Sequence, residues 1–160
     1  LVKKQKRGYW LPTDSGPKQD SKWISNNNIK DLIGSSDAKH ILLIVDSCFS
    51  GSLMRGSGEN KSVEKLTQNT VERLQSKLTR LVITSGGNEQ VADGIGASKN
   101  SVFAQPLIKT LKNNNDVIRS IELFQKVQNY VINNADQTPN HSLIHGTGHD
   151  GGEFLFFPKS

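Results

Sequence analysis

One cysteine, Cys48, occurs in the 160-residue chain, and it stands in the run His40 to Ser52, HILLIVDSCFSGS. A cysteine thiolate is a strong nucleophile when the chain presents it to solvent beside groups that manage its proton. The thiol follows Ile41 to Val45, five consecutive apolar residues rich in β-branched types. That run is too short to span a membrane and reads as a buried strand of the parallel-sheet kind. Asp46, Ser47, Ser50, Gly51 and Ser52 are small or polar. They form the exposed turn at the carboxyl end of a strand, where open α/β sheets bind their ligands. Free cysteine is more commonly a small buried hydrophobe. Here an acid two residues before it and a glycine three residues after it favour a nucleophile, with its own backbone N–H as an oxyanion donor.

A cysteine nucleophile calls for a base, and the chain offers four histidines. His40 begins the strand that leads to Cys48, so at about 3.3 Å per extended residue it lies at the opposite end of the sheet. His141, His145 and His149 recur at four-residue intervals. On a helix that spacing would gather three imidazoles for a metal, but Gly146, Gly148, Gly151 and Gly152 argue against a helix there. No metal site is expected.

Around this centre the pattern alternates. Gly8 to Thr13 has a strand-like aromatic pair stopped by Pro12, and a short helix over Asn26 to Ile33 is capped by Ser25 or Asn26. The stretch 51–62, GSLMRGSGENKS, is loop-like. Apolar positions at Val63, Leu66, Val71, Leu74 and Leu78 predict an amphipathic helix over one sheet face, and Arg80 to Thr84 the next strand. Strand, helix and strand make one parallel βαβ unit. After a loop over Glu89 to Asn100, helices are predicted over Ser101 to Lys112, where Pro106 fits only in the first turn, and over Ser120 to Asn133. A loop through Pro139 and the glycine-rich HGTGHDGG leads to a last strand, Phe154 to Phe157.

With 34% hydrophobic and 22% charged residues the chain has the composition of one soluble globular domain rather than a disordered one. The net charge of +5 includes a basic cluster, Lys3-Lys4-Gln5-Lys6-Arg7, but no interleaved aromatic platform follows it, so no nucleic-acid partner is expected. No run is long enough for a membrane helix, and no signal-peptide pattern is visible. A single free thiol suits a reducing, cytoplasmic setting. The first residue is Leu1 rather than Met, and the chain reads as a piece of a longer product.

Asp46-Ser47-Cys48-Phe49-Ser50-Gly51 resembles the nucleophile motif of the caspase-like cysteine peptidases, in particular the metacaspase and bacterial caspase-homologue branch. Five further segments agree in order: Gly8-Tyr9-Trp10-Leu11-Pro12, Thr84-Ser85-Gly86-Gly87, Ser101-Val102-Phe103-Ala104, Gln137-Thr138-Pro139 and His149-Asp150-Gly151-Gly152-Glu153-Phe154. Together they cover nearly the whole chain. The resemblance implies an α/β fold, with a mostly parallel central sheet flanked by helices. It implies a single peptidase domain over residues 1–160 that lacks its N-terminal part, because the family's catalytic His-Gly motif comes just before the GYWLP segment. The base would then be carried by an upstream segment.

The same resemblance implies the substrate. An acid two residues before the nucleophile lies in the S1 pocket of metacaspases and paracaspases and selects Arg or Lys, and Asp46 occupies that position. Ser85 and Glu89 match positions lining the same pocket, with Asp93 a weaker match. Taken by residue type alone, Asp46 could instead be a helix N-cap, and Glu89 and Asp93 ordinary solvated loop acids. The partner expected is a polypeptide with a basic residue at the cleavage position. Residues 53–65 carry Arg55, Lys61 and Lys65, which makes this loop a candidate self-processing site. No cofactor is expected. Calcium, which activates many metacaspases, is left open because no EF-hand-like ligand run is present. Two other classes stay in view: a non-catalytic caspase-like binding module, and a transferase or other hydrolase using the same cysteine.

Overall fold

The computed structural model describes residues 8–16, 20–47, 66–86 and 100–159. In chain order the elements are β1 (Tyr9–Trp10), a single 3₁₀ turn (Asp20–Lys22), β2 (Ile24–Ser25), α1 (Asn26–Gly34), β3 (His40–Val45) and α2 (Gln68–Ser76). They continue with β4 (Thr79–Thr84), α3 (Ala104–Lys112), β5 (Ile118–Arg119), α4 (Ser120–Asn134), β6 (Asn140–Leu143) and β7 (Leu155–Phe156). The fold is α/β, as the alternation of patterns predicts.

The central sheet has the order β3-β4-β6. β3 and β4 run parallel from His40 beside Thr79 to Val45 beside Thr84, and β6 pairs antiparallel with β4. Every residue of β4 is buried, as its middle position requires, whereas the equally apolar β3 keeps Ile41 to Leu43 half-buried and Ile44 36% exposed. Among the described residues β3 pairs with β4 alone. The described sheet is mixed, an antiparallel edge strand on a parallel pair being a common arrangement. Two small antiparallel ladders, β1 with β2 and β5 with β7, stand apart from it.

Side-chain alternation splits the core into two layers. On one face Ile83 packs with Val102, Phe103, Leu123, Phe124, Val127 and Val131, the inner surfaces of α3 and α4. On the other, Val45, Val82 and Ile144 pack with Ile33 of α1. Ser25 caps α1, its hydroxyl accepting the Asn28 N–H at 3.1 Å. Trp10 Nε1 donates to Asn26 Oδ1 at 2.7 Å, tying the first ladder to that helix.

Several boundaries differ from the sequence reading. α2 begins at Gln68, where the Thr67 hydroxyl accepts the Thr70 N–H at 3.2 Å; Val63 to Lys65 lie outside the described residues. It buries only Thr70, with Val71 and Leu74 half-buried, and Leu78, expected in the helix, lies beyond its end at Ser76 and is exposed. α3 starts at Ala104 rather than Ser101, with Pro106 as its third residue. β6 falls in a stretch that the sequence pattern predicts to be loop. Asn140-His141-Ser142-Leu143 has only one strongly apolar residue, and β4 recruits it through backbone pairing. The closing strand is confined to Leu155–Phe156.

The HDGG run forms a tight approach to the start of β4. Asp150 N–H donates to Leu78 O at 3.0 Å, and Gly151 has a φ of +70°. A Cβ at Gly152 would stand 2.7 Å from Lys77 O and collide with Thr79 Oγ1. Gly152→Ala is therefore expected to destabilise the domain by about 1 to 3 kcal/mol through overpacking against backbone that cannot yield. Thermal unfolding checks this; an unchanged midpoint would contradict the close packing.

Candidate active site

The parallel pairing decides the geometry of the site. Val45 and Thr84 are the last registered pair of β3 and β4, and the Ser85 N–H donates to Val45 O at 2.9 Å. Asp46 and Ser85 therefore leave the sheet side by side at the carboxyl ends of adjacent strands. Alternation puts both on the face that carries α3 and α4. Cys48 comes two residues after Asp46; with Glu89 and Asp93 it lies outside the described residues.

Asp46 is exposed, and its Oδ2 accepts a hydrogen bond from the Ser101 hydroxyl. Ser101 Oγ in turn accepts the Ala104 N–H at 2.9 Å, so it caps the first turn of α3. The carboxylate is thus tied to a residue that precedes α3. Ser85 is fully buried, and among the described residues its hydroxyl has no hydrogen-bond partner. A buried hydroxyl left unpaired costs about 1 to 3 kcal/mol, which a polar ligand or water would recover. The Ser85 carbonyl accepts from Gln137 Nε2 at 3.4 Å, so the QTP segment steadies the turn after β4.

The described histidines whose partners are resolved are committed elsewhere. At the amino end of the sheet His40 bonds Thr79 Oγ1 at 3.0 Å and Gln75 O at 3.1 Å, as its place in the strand predicts. His149 Nδ1 accepts the Arg80 N–H at 3.2 Å. The Arg80 guanidinium is itself buried and donates to the carbonyls of Ser36, Lys39 and Thr79. Among the described residues no group of three or more His, Cys, Asp or Glu side chains could hold a metal ion.

His141 lies at the end of a buried polar chain that sequence reasoning missed. Its Nε2 is 2.9 Å from Ser120 Oγ, and Ser120 donates to Glu153 Oε1. The single hydroxyl proton goes to the carboxylate, so His141 carries its own proton on Nε2 and donates it to Ser120. Burial, reinforced by the charge of His149, lowers the His141 pKa to about 4. Burial raises that of Glu153, against hydrogen bonds from Ser120 and Phe154 and the nearby Arg119 charge. Ser120 opens α4, and only its long-range pairing to the last segments of the chain makes the cluster, so no local motif announces it.

A family model of the caspase domain matches residues 2–147. The chain belongs to the caspase domain family. Its kind of chemistry is that of a cysteine peptidase. No curated protein and no solved structure compared with the chain matches it. Within this caspase domain no described helix is long and apolar enough to cross a membrane. Ser101, within one of the segments that resemble the family, carries the signature of a helix N-cap, a serine just before an apolar run.

The His141 environment predicts an acid limit to stability. A histidine whose folded pKa is depressed favours the neutral fold: its contribution is complete above the unfolded value near 6.5 and is lost as pH falls toward about 4. The loss is up to about 3 kcal/mol. Glu153, with its folded pKa raised, works oppositely: its contribution is complete at low pH and is lost as pH rises through its folded value. Thermal midpoints between pH 4 and 7 should fall on the acid side, and His141→Gln, which keeps a donor toward Ser120, should flatten that limb. An unchanged acid limb in the variant would show that His141 is not its source.

Proposed function

We propose that this caspase domain is the main part of an endopeptidase that cleaves polypeptides after Arg or Lys through a Cys48 acyl-enzyme. The observation that supports this most is the placement of Asp46: an exposed, hydrogen-bonded carboxylate beside Ser85, two residues before Cys48. A guanidinium or ammonium docking there would meet a charge-assisted acceptor, with the Ser85 hydroxyl, unpaired among the described residues, next to it. Glu89 and Asp93 add negative charge to the same pocket in this reading.

In the reaction the Cys48 sulfur attacks the carbonyl after the basic residue, and the oxyanion is held by donors that include the Cys48 N–H. Collapse breaks the C–N bond, and the amine leaves with a proton from the catalytic histidine. Water then gives one of its own protons to the imidazole as its oxygen attacks the thioester carbonyl and displaces the thiolate, releasing the acid. The histidine is proposed to lie on a segment outside these 160 residues. Two observations support that: His40, His141 and His149 are engaged in structural bonds, and β3 has a half-exposed apolar edge that a further strand would cover. Arg55, Lys61 and Lys65 are the proposed self-processing positions, and calcium dependence follows only if residues outside the described ones supply oxygen ligands. The second reading, a non-catalytic binding module, draws on the same commitment of the resolved histidines.

Fluorogenic peptides ending in Arg, Lys or Asp separate these readings when given to the protein extended upstream to include the His-Gly segment. Cleavage should follow Arg and Lys and vanish in Cys48→Ala. Asp46→Asn should lower kcat/KM for basic substrates roughly thirtyfold or more, about 2 kcal/mol for loss of one partner of a charge pair. Cleavage after Asp would refute the acidic pocket, and silence toward all three would favour the binding module.

A further inference from the structure

The Asp46 carboxylate is the free end of a short chain of bonds that begins inside the core. Val102 and Phe103 are 2% and 0% exposed and are locked between the sheet and α4. Ser101, immediately before them, gives its carbonyl to the Gln105 N–H at 3.0 Å and its hydroxyl oxygen to the Ala104 N–H at 2.9 Å. A hydroxyl has one hydrogen, and with its oxygen committed to the helix that hydrogen is directed at Asp46 Oδ2. Asp46 itself lies one residue beyond the last β3–β4 pair, exposed, where an aspartate left alone would sample several rotamers.

We infer that Ser101 is the positioning residue for substrate selection: through its hydroxyl it holds the Asp46 carboxylate in the orientation that receives a planar guanidinium. This rests on the reading of Asp46 as the specificity acid. The bond fixes the carboxylate plane before substrate arrives, so the ordering cost of that side chain is not charged to binding. Its consequence differs between the two basic residues. Arginine presents a rigid fork that needs an oriented acceptor, whereas lysine is a point charge that tolerates a rotating one. The clamp therefore favours Arg over Lys, and it couples the pocket to the first turn of α3.

The test measures binding rather than turnover, by calorimetry on the upstream-extended protein carrying Cys48→Ala, with three peptides that differ only in Arg, Lys or norleucine at the cleavage position. Ser101→Ala should weaken the Arg peptide about three- to tenfold, the Lys peptide less and the norleucine peptide not at all. Ser101→Thr, which keeps both the cap and the donor, should match the parent. Thermal unfolding of the same variants reports the cap separately, since a purely structural loss lowers the midpoint without changing the Arg-to-Lys ratio. If Asp46→Asn weakens the Arg peptide while Ser101→Ala does not, or if Ser101→Ala weakens all three peptides equally, the clamp is overturned and the acidic pocket stands. If Asp46→Asn leaves Arg affinity unchanged, or the Arg peptide does not bind, the pocket reading falls and the clamp with it.

Discussion

The parallel register of β3 on β4 is the constraint on which the rest depends. Six consecutive pairs, His40 with Thr79 through Val45 with Thr84, bring the two strands to the same level at their carboxyl ends. A slip of one residue would turn every β3 side chain to the opposite face, moving Asp46 away from Ser101 and Val45 out of the α1 layer. The register is held at both ends. At one end His40 bonds Thr79 while Arg80 ties down the carbonyls of residues 36 and 39; at the other Ser85 N–H bonds Val45 O. The carboxyl ends of β3 and β4 are thereby brought level by packing decided in the middle of the sheet.

The polar interior serves the same purpose by different means. Ser120, His141 and Glu153 join the start of α4, the edge strand β6 and the segment before β7, three stretches far apart in sequence. A half-satisfied network in so buried a place would cost more than an apolar one, and here each member has a partner. The price is pH sensitivity, because the fold holds His141 neutral and disfavours the charge on Glu153. The other end of the sheet carries the opposite feature, with the buried hydroxyl of Ser85 left unpaired among the described residues. Polar groups unsatisfied beside an exposed carboxylate are what a ligand-binding edge is expected to have.

Legibility in the sequence followed the range of the interactions involved. β3, β4, α1 and α4 were readable because apolar runs and helical periodicity are local signals. The pairing of Asp46 with Ser85 came from the family resemblance, and the parallel register of β3 on β4 sets the two side by side. β6 was not readable, since Asn140-His141-Ser142-Leu143 owes its strand to β4 rather than to its own residues. The same holds for Ile118–Arg119, which is short and extended only because β7 pairs with it. Ser101 was visible as part of a motif, but its bond to Asp46 spans fifty-five positions and no spacing rule reaches that far. His149 stands before the last strand, where its imidazole receives the Arg80 N–H across sixty-nine positions, again beyond the reach of local pattern.

The central claim is that Cys48 is the nucleophile and that Asp46 chooses the basic side chain presented to it. The most direct measurement is intact mass, with peptide mapping, after the upstream-extended protein meets matched peptidyl acyloxymethyl ketones ending in Arg or in Asp. The account predicts one adduct, on Cys48, with the Arg reagent and none with the Asp reagent, and a slower Arg reaction in Asp46→Asn. An adduct with the Asp reagent at equal rate, or no modification of Cys48 by the Arg reagent, would contradict it.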